Sequence, residues 1–144
     1  LHVFRLAGIY GPGRGPFGRL RSGEARRIVK PGQVFSRIHA DDIAAALRAS
    51  MARPDPGRVY NLCDDLAAPP EEVLEGAARL LGLAPPPEVA FEEAGLSPMA
   101  RSFYADCRRV ANRRMREELG VELRHPTWRE GLAAILAEEE GRGA

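Results

Sequence analysis

Cysteine, histidine and lysine are scarce in this 144-residue chain, which has Cys63 and Cys107, three histidines and the single Lys30. Two distant cysteines without a Cys-x-x-Cys exclude a disulfide framework and suit a reducing cytosol, so a cytoplasmic location is expected and each thiol reads as a small buried side chain. His2, His39 and His125 are dispersed along the sequence, and neither cysteine has a partner at ligand spacing, so no metal is expected. Long apolar runs are missing as well. The most apolar stretch, residues 43–47, falls far short of the roughly 18 residues of a membrane span, which excludes a transmembrane helix. The chain opens on Leu1 inside an apolar run, without the basic-then-apolar layout of a signal peptide. It reads as the later part of something longer.

What is present is an ordinary globular composition, 44% hydrophobic and 28% charged, with a net charge of +1. The charge is unevenly spread. Residues 1–37 carry eight cationic side chains against Glu24 alone, residues 38–107 carry five arginines against twelve acids, and residues 108–144 nearly balance. A basic front third suggests an anion-facing patch. Aromatics are only 6%, and that third has no RNP-like motif, zinc-finger spacing or recognition helix, so no nucleic-acid partner is expected. A phosphate or carboxylate on a small molecule is the better match.

Periodicity and turn chemistry predict an alternating order of elements. Residues 1–9 read as one buried strand and 10–16 as a glycine-rich loop. A short helix over 17–22 ends at Gly23, and strands over 27–29 and 34–38 flank the Pro31-Gly32 turn as a hairpin. Asp41 or Asp42 should cap a helix over 41–51, a second core strand follows at 58–63, and Pro69-Pro70-Glu71-Glu72 opens a helix whose face Leu74, Ala77, Ala78 and Leu81 ends at Gly82. Beyond the prolines at 85–87 come a short strand at 89–91, helices over 98–104, 110–119 and 127–137, and fraying over 138–144. The chain accordingly divides into residues 1–84, a sheet with helices and an inserted hairpin, and residues 85–144, a mainly helical lobe.

Catalytic motifs fail one by one. Gly-x-Gly from Gly11 meets Pro16 where a dinucleotide fingerprint needs its third glycine, and Arg14-Gly15 stand where a P-loop needs Lys and Ser or Thr. Ser36, His39 and Asp41 or Asp42 can be drawn as a triad, but no nucleophile elbow exists. Position 26 is Arg26, so Lys30 has no Tyr-x-x-x-Lys partner. No catalytic residue is assigned.

Three strings, Phe4-Arg-Leu-Ala-Gly-Ile-Tyr-Gly-Pro-Gly13, Ile38-His-Ala-Asp-Asp-Ile43 and Val59-Tyr-Asn-Leu62, resemble the later half of extended short-chain dehydrogenase/reductases, the NAD-dependent epimerase/dehydratase group. The pattern of residues 112–120 and 126–132 extends the resemblance, which is closest to the atypical members loosely labelled nucleoside-diphosphate-sugar epimerases. It implies an α/β fold, the later part of a doubly wound parallel sheet with a small mixed substrate-binding lobe. It also implies NAD or NADP as cofactor of a longer protein whose glycine fingerprint and Ser/Tyr/Lys set lie upstream, so that this chain alone binds little cofactor and is inactive.

Carried over by position, the resemblance places Leu6, Ala7 and Gly8 near the nicotinamide. Gly8 departs from the asparagine usual in sugar-nucleotide members, and Phe35 departs from their arginine, with Arg37 a displaced replacement on the same strand face. Arg14 and Arg19 are alternative anion contacts, Asn61 lies at the ligand-facing end of a strand, and Tyr104, Arg108 and Arg109 are candidates to cover the pocket. His39 and Asp42 match the family string and fix a strand-to-helix corner. The expected partner is a small, anionic, sugar-like substrate, with no nucleic acid and no membrane. The alternative is a non-catalytic binding or regulatory module that completes its sheet with a partner, as a homodimer or otherwise, through the uncovered edge beside residues 1–9.

Overall fold

The computed structural model describes residues 1–143. In chain order the elements are β1 (Val3–Leu6), β2 (Gly8–Tyr10), α1 (Phe17–Arg21), β3 (Arg27–Val29), β4 (Arg37–His39), α2 (Ala40–Ala52), β5 (Val59–Leu62), α3 (Pro70–Leu80), β6 (Glu88–Ala90), a 3-10 turn (Phe91–Glu93), α4 (Pro98–Ser102), α5 (Arg113–Glu117) and α6 (Trp128–Gly143). Every named strand pair is parallel: β1 with β5, β2 with β4, and β3 with β6. Parallel pairing joined by helices makes this an α/β fold. No helix among the described residues is long and apolar enough to cross a membrane.

Two compact units share the chain. One takes Leu1–Arg14, Ser36–Ala67 and the chain from Val110 onward; the other takes Gly15–Phe35 and Ala68–Arg109. The linear division at residue 84 does not coincide with them, because parallel partners lie far apart in sequence and each unit gathers segments from both sides of that point.

The first unit is built around Ile38, Ala46, Tyr60, Leu62, Met115, Leu119 and Val121, all buried, with Phe4, Ile9, Ile43 and Leu123 packed against them. Residues 1–9 are two strands, not one. Ala7 donates its amide to Leu62 O at 3.0 Å, whereas the next amide, of Gly8, goes to Ser36 O at 3.1 Å. The chain changes partner between two consecutive residues, a step that a continuous apolar run does not display.

The expected hairpin does not form. Gly32 takes the positive φ of a turn, yet Phe35 exchanges amide hydrogen bonds with Ala68 at 3.0 and 3.1 Å, so the strand after the turn starts only at Arg37. Its partner is β2, while β3 pairs with β6.

Helix ends also sharpen the expectations. His39 is the N-cap of α2, its Nδ1 accepting the Asp41 amide at 3.1 Å, in place of either aspartate. Proline at the first position and Glu71 and Glu72 in the first turn start α3 as anticipated. The helix expected over 110–119 is shortened to α5, because Val110 donates to Ser36 Oγ at 3.1 Å and Asn112 Nδ2 donates to Cys63 O at 2.9 Å, holding residues 110–112 off helical geometry. For α6, Thr127 and Glu130 form a reciprocal cap: Arg129 N donates to Thr127 Oγ1 and Thr127 N to Glu130 Oε2. Trp128, Leu132 and Ile135 are buried as their spacing requires, and the helix runs on through Gly143, past the expected fraying point; Ala144 lies outside the described residues.

In the second unit Phe17, Leu20, Val34, Val73, Ala77, Ala78 and Phe91 are buried. Arg27 ties three elements, with its guanidinium 3.6 Å from Glu75 on α3 and 3.0 Å from Glu88 on β6, and its Nε donating to Pro86 O.

Candidate functional site

The C-terminal ends of β1 and β5 carry the first cluster. Leu6 and Leu62 are register partners, and beyond them Ala7 and Gly8 send their amides to different strands. Leu6 is half exposed and Gly8 exposed, while Asn61 is half-buried with Nδ2 donating to Ala111 O at 3.5 Å. A Cβ built on Gly8 would lie 3.4 Å from Ser36 O, an ordinary contact, so packing alone does not require glycine there. Arg14 is exposed and bridges Gly11 through paired backbone hydrogen bonds. Arg37, half-buried on β4, accepts the Asp64 amide at 2.7 Å through its carbonyl.

A cleft of about 390 Å³ opens in the same unit, lined by Arg5, Val59, Asn61, Ala111, Arg113 and Arg114. Arg5 and Asn61 face each other in the β1–β5 register. Three arginines and one asparagine in the lining make an anion-attracting surface, offset by Glu117 and Glu118 at 3.9 and 4.0 Å from Arg113 and Arg114. Sequence reasoning missed Arg5, Arg113 and Arg114. The available signals were a cation interrupting an apolar strand and an arginine pair next to a helix start.

In the second unit the structure brings Phe35, Tyr104 and Arg108 together. The Phe35 and Tyr104 rings meet edge to face at 5.3 Å, and Phe35 forms a parallel bridge with Arg108, whose guanidinium holds Asp106 at 2.5 Å. Tyr104 also meets Phe91 at 5.0 Å, with Lys30 and Arg101 cationic groups at 5.1 and 4.6 Å from the Phe91 ring, and Lys30 donating to Tyr104 O. Arg19 and Arg109 are exposed. Phe91 and Arg101 were not singled out from the sequence, and Lys30 was weighed there only as half of a Tyr-x-x-x-Lys pair.

His39 and Asp42 occupy the strand-to-helix corner. Asp42, fully buried, accepts the Arg124 amide at 2.7 Å and the His125 amide at 3.1 Å, so it tethers the segment before α6 and does not cap α2. His39 and His125, far apart in sequence, stand with ring centroids 3.9 Å apart, and His125 Nε2 is 3.2 Å from Asp41 Oδ2. Burial, and then the His125 ring, hold His39 below the usual imidazole range; the hydrogen bond from His125 holds Asp41 below the usual carboxylate range. With Ser36 Oγ accepting from Val110 and His39 Nδ1 from Asp41, neither is arranged as nucleophile and base. Cys63 is buried, its thiol pushed up to about 11 chiefly by burial, whereas Cys107 is exposed, contrary to expectation, on the surface segment that follows Asp106.

Phosphate cradles use free backbone amides, and here the amides of Ala7 and Gly8 are both spent on strand pairing, while the Gly13 turn is closed by the bridge between Gly11 and Arg14.

No family model matches the chain. Among curated proteins it is 33% identical over 144 residues to a 3-diazoavenalumate denitrifying reductase of a Streptomyces species, covering 90% of this chain and 45% of that protein. It is 31% identical over 124 residues to Protein YeeZ of Escherichia coli K12, covering 86% and 40%. The chain thus spans less than half the length of these relatives. Among solved structures, a functionally unknown conserved protein from Silicibacter pomeroyi matches with 64% identity and a TM-score of 0.93 over 96% of this chain and 49% of that one. The human epimerase family protein SDR39U1, solved with NADPH, matches with a TM-score of 0.79 at 21% identity over 94% and 48%. That likeness shows the fold: an α/β arrangement with parallel strands that corresponds to part of a Rossmann-type short-chain dehydrogenase/reductase structure.

Proposed function

We propose that this chain is the substrate-binding portion of an NAD(P)-dependent oxidoreductase, epimerase or dehydratase of the extended short-chain dehydrogenase/reductase type, acting on a small, anionic, sugar-like substrate. One observation carries the reading: the consecutive Ala7 and Gly8 amides pair with different strands at the C-terminal end of a parallel sheet. In open α/β sheets a ligand sits where neighbouring strands part at their C-terminal ends. A partial correspondence with a reductase and with an NADPH-bound epimerase-family protein supports the same reading.

Leu6, Ala7 and Gly8 then form a wall against the nicotinamide end of the cofactor, and Gly8, lacking a side chain, leaves room beside it. Arg14 and Arg37, with Asn61 at the strand end, are the substrate contacts within this unit. The dinucleotide phosphates and the proton-transferring pair are assigned to residues outside this chain, which has no Tyr-x-x-x-Lys pair and whose Ala7 and Gly8 amides are taken up by strand pairing.

Titration of NADH and NADPH against the chain and against the full gene product tests the proposal. Saturable binding and turnover are expected only for the latter, and saturable carbonyl reduction by the chain alone would overturn it. An immunoblot of source-cell extract is expected to show a band at roughly twice 15.7 kDa, the size once a nucleotide-binding half is added.

A second reading, a module that completes its sheet with a partner, is favoured by exposed apolar residues on and just before β1: Leu1 at 96%, Val3 at 45% and Leu6 at 47%. Exposed apolar strands invite pairing. A native band at 15.7 kDa together with a dimer or heterocomplex in sedimentation would support this reading over the first.

A further inference from the structure

We propose that His39, Asp41 and His125 form a binding site for a borderline dication such as Zn²⁺, independent of the nucleotide-cofactor reading. Their ligand atoms all lie within 4.8 Å of one another. Asp41 Oδ2 is 3.2 Å from His125 Nε2 and 3.7 Å from His39 Nδ1. A tetrahedral zinc site with ligand bonds near 2.1 Å has edges of roughly 3.4 Å, so the two Asp41 spacings already match it closely, and the two histidines, within 4.8 Å of each other, need a side-chain adjustment to complete it. Two imidazoles and one carboxylate match zinc's preference for mixed nitrogen and oxygen ligands, and the fourth position stays open to water.

The surroundings support a clamp. Both histidines are buried, at 2% and 6% exposure, while the Asp41 side chain is half exposed and gives an entry path. The cation now nearest Asp41 is the guanidinium of Arg124, 3.8 Å away on a side chain that is 78% exposed and free to swing aside. On metal binding the Asp41 amide gives up His39 Nδ1 and turns to water. Asp42 beneath already fixes the amides of Arg124 and His125, so the backbone on both sides of the site is held before an ion arrives. Such a bond would pin the start of α2 to the segment that leads into α6.

The test uses the intact, tag-free protein after chelator treatment. Calorimetric titration with ZnCl₂ is expected to give saturable one-to-one binding, Co²⁺ should show the intense visible bands of a tetrahedral complex, and added zinc should raise the unfolding midpoint. Asp41→Asn and His125→Gln should each weaken zinc binding by about tenfold or more. His2→Gln, at a histidine bonded to Ser50 and the Asp55 amide, should leave it unchanged. Asp41→Asn, at a half-exposed position, keeps the test valid should His125→Gln fail to fold, with circular dichroism as the check. Absence of saturable binding, a weak octahedral cobalt spectrum, or a folded Asp41→Asn that binds zinc as tightly as the parent would each overturn the proposal.

Discussion

Gly131 on α6 lies directly against the ring of Tyr10 on β2, so closely that a Cβ at position 131 would overlap the phenol carbons and hydroxyl. Tyr10 is buried, donates its hydroxyl to Thr127 O at 3.4 Å and meets His39 edge to face at 5.2 Å. The absent side chain is therefore what lets the first turn of α6 seat on the strand. Its Gly-Leu pair is a packing device.

Gly131→Ala separates this close approach from helix propensity. In an open helix the change would stabilise by about 0.5–1 kcal/mol. Here the overlap with Tyr10 reverses the sign, and a loss of roughly 1–3 kcal/mol is expected in urea denaturation. A Tyr10→Ala background should remove most of that loss, as residues in contact are non-additive. An unchanged or raised midpoint for the single variant would show that the helix has room to move.

Asp42 supplies a second, independent test of the corner. Its replacement by alanine leaves the Arg124 and His125 amides without their acceptor in a buried position and should cost roughly 2–4 kcal/mol. Asp42→Asn keeps one carbonyl acceptor and should lose distinctly less. If Asp42 acted as a cap of α2, alanine would cost only about 1 kcal/mol and asparagine almost nothing.

The two thiols should differ sharply in chemistry. Cys63 is buried and burial suppresses its thiolate, whereas Cys107 is exposed. Native protein treated with iodoacetamide is expected to gain one adduct, at Cys107 by peptide mapping, and a second only in denaturant. Early modification of Cys63 would mean that the residue 110–112 segment, whose Val110 carbonyl accepts from the Cys63 thiol, opens readily.

Local chemistry made much of this architecture readable in the sequence. The helices α2, α3 and α6 follow from apolar spacing with Pro70, Gly82 and the acids of the first turns as punctuation, and β5 from its run of β-formers. What was not legible depends on which strand takes which partner. Phe35 reads as the middle of a hairpin strand until Ala68 claims its amide, and residues 1–9 read as one strand until Gly8 turns to Ser36. The approach of His125 to Asp41 spans 84 residues and arises because Asp42, beside it, tethers the segment before α6. Spacing along the chain carries no trace of that meeting, nor of the one between Tyr10 and Gly131. The anion-facing cleft was half legible: a basic front third was visible, but Arg113 and Arg114 join Arg5 only through the fold.

Asp64 gives the protein a pH dependence opposite to the usual one for a carboxylate. It is 3% exposed, its Oδ1 accepts the Leu66 amide at 3.1 Å, and its Oδ2 is buried without a partner. Burial is the main cause that pushes its carboxyl up to about 7, against the pull of the Leu66 hydrogen bond and the Arg37 charge. The folded state thus holds a proton that the unfolded chain releases near pH 4. Between about pH 4 and 7 the native protein binds more protons than the unfolded one, so this group's contribution falls as pH rises. Its penalty, of the order of 3–4 kcal/mol, is fully present above pH 7 and absent below pH 4. Asp41, Glu118 and Glu130 are shifted the other way and lose stability as the solution is acidified, so the total profile mixes both signs. The difference between the parent and Asp64→Asn isolates the one group. Asparagine retains the acceptor for Leu66 and carries no charge, so the variant should be the more stable protein at pH 8, with the gap closing steadily toward pH 4 in urea denaturation. Parallel profiles for the two proteins across that range would mean that Asp64 is solvated and ionised as an ordinary surface carboxylate.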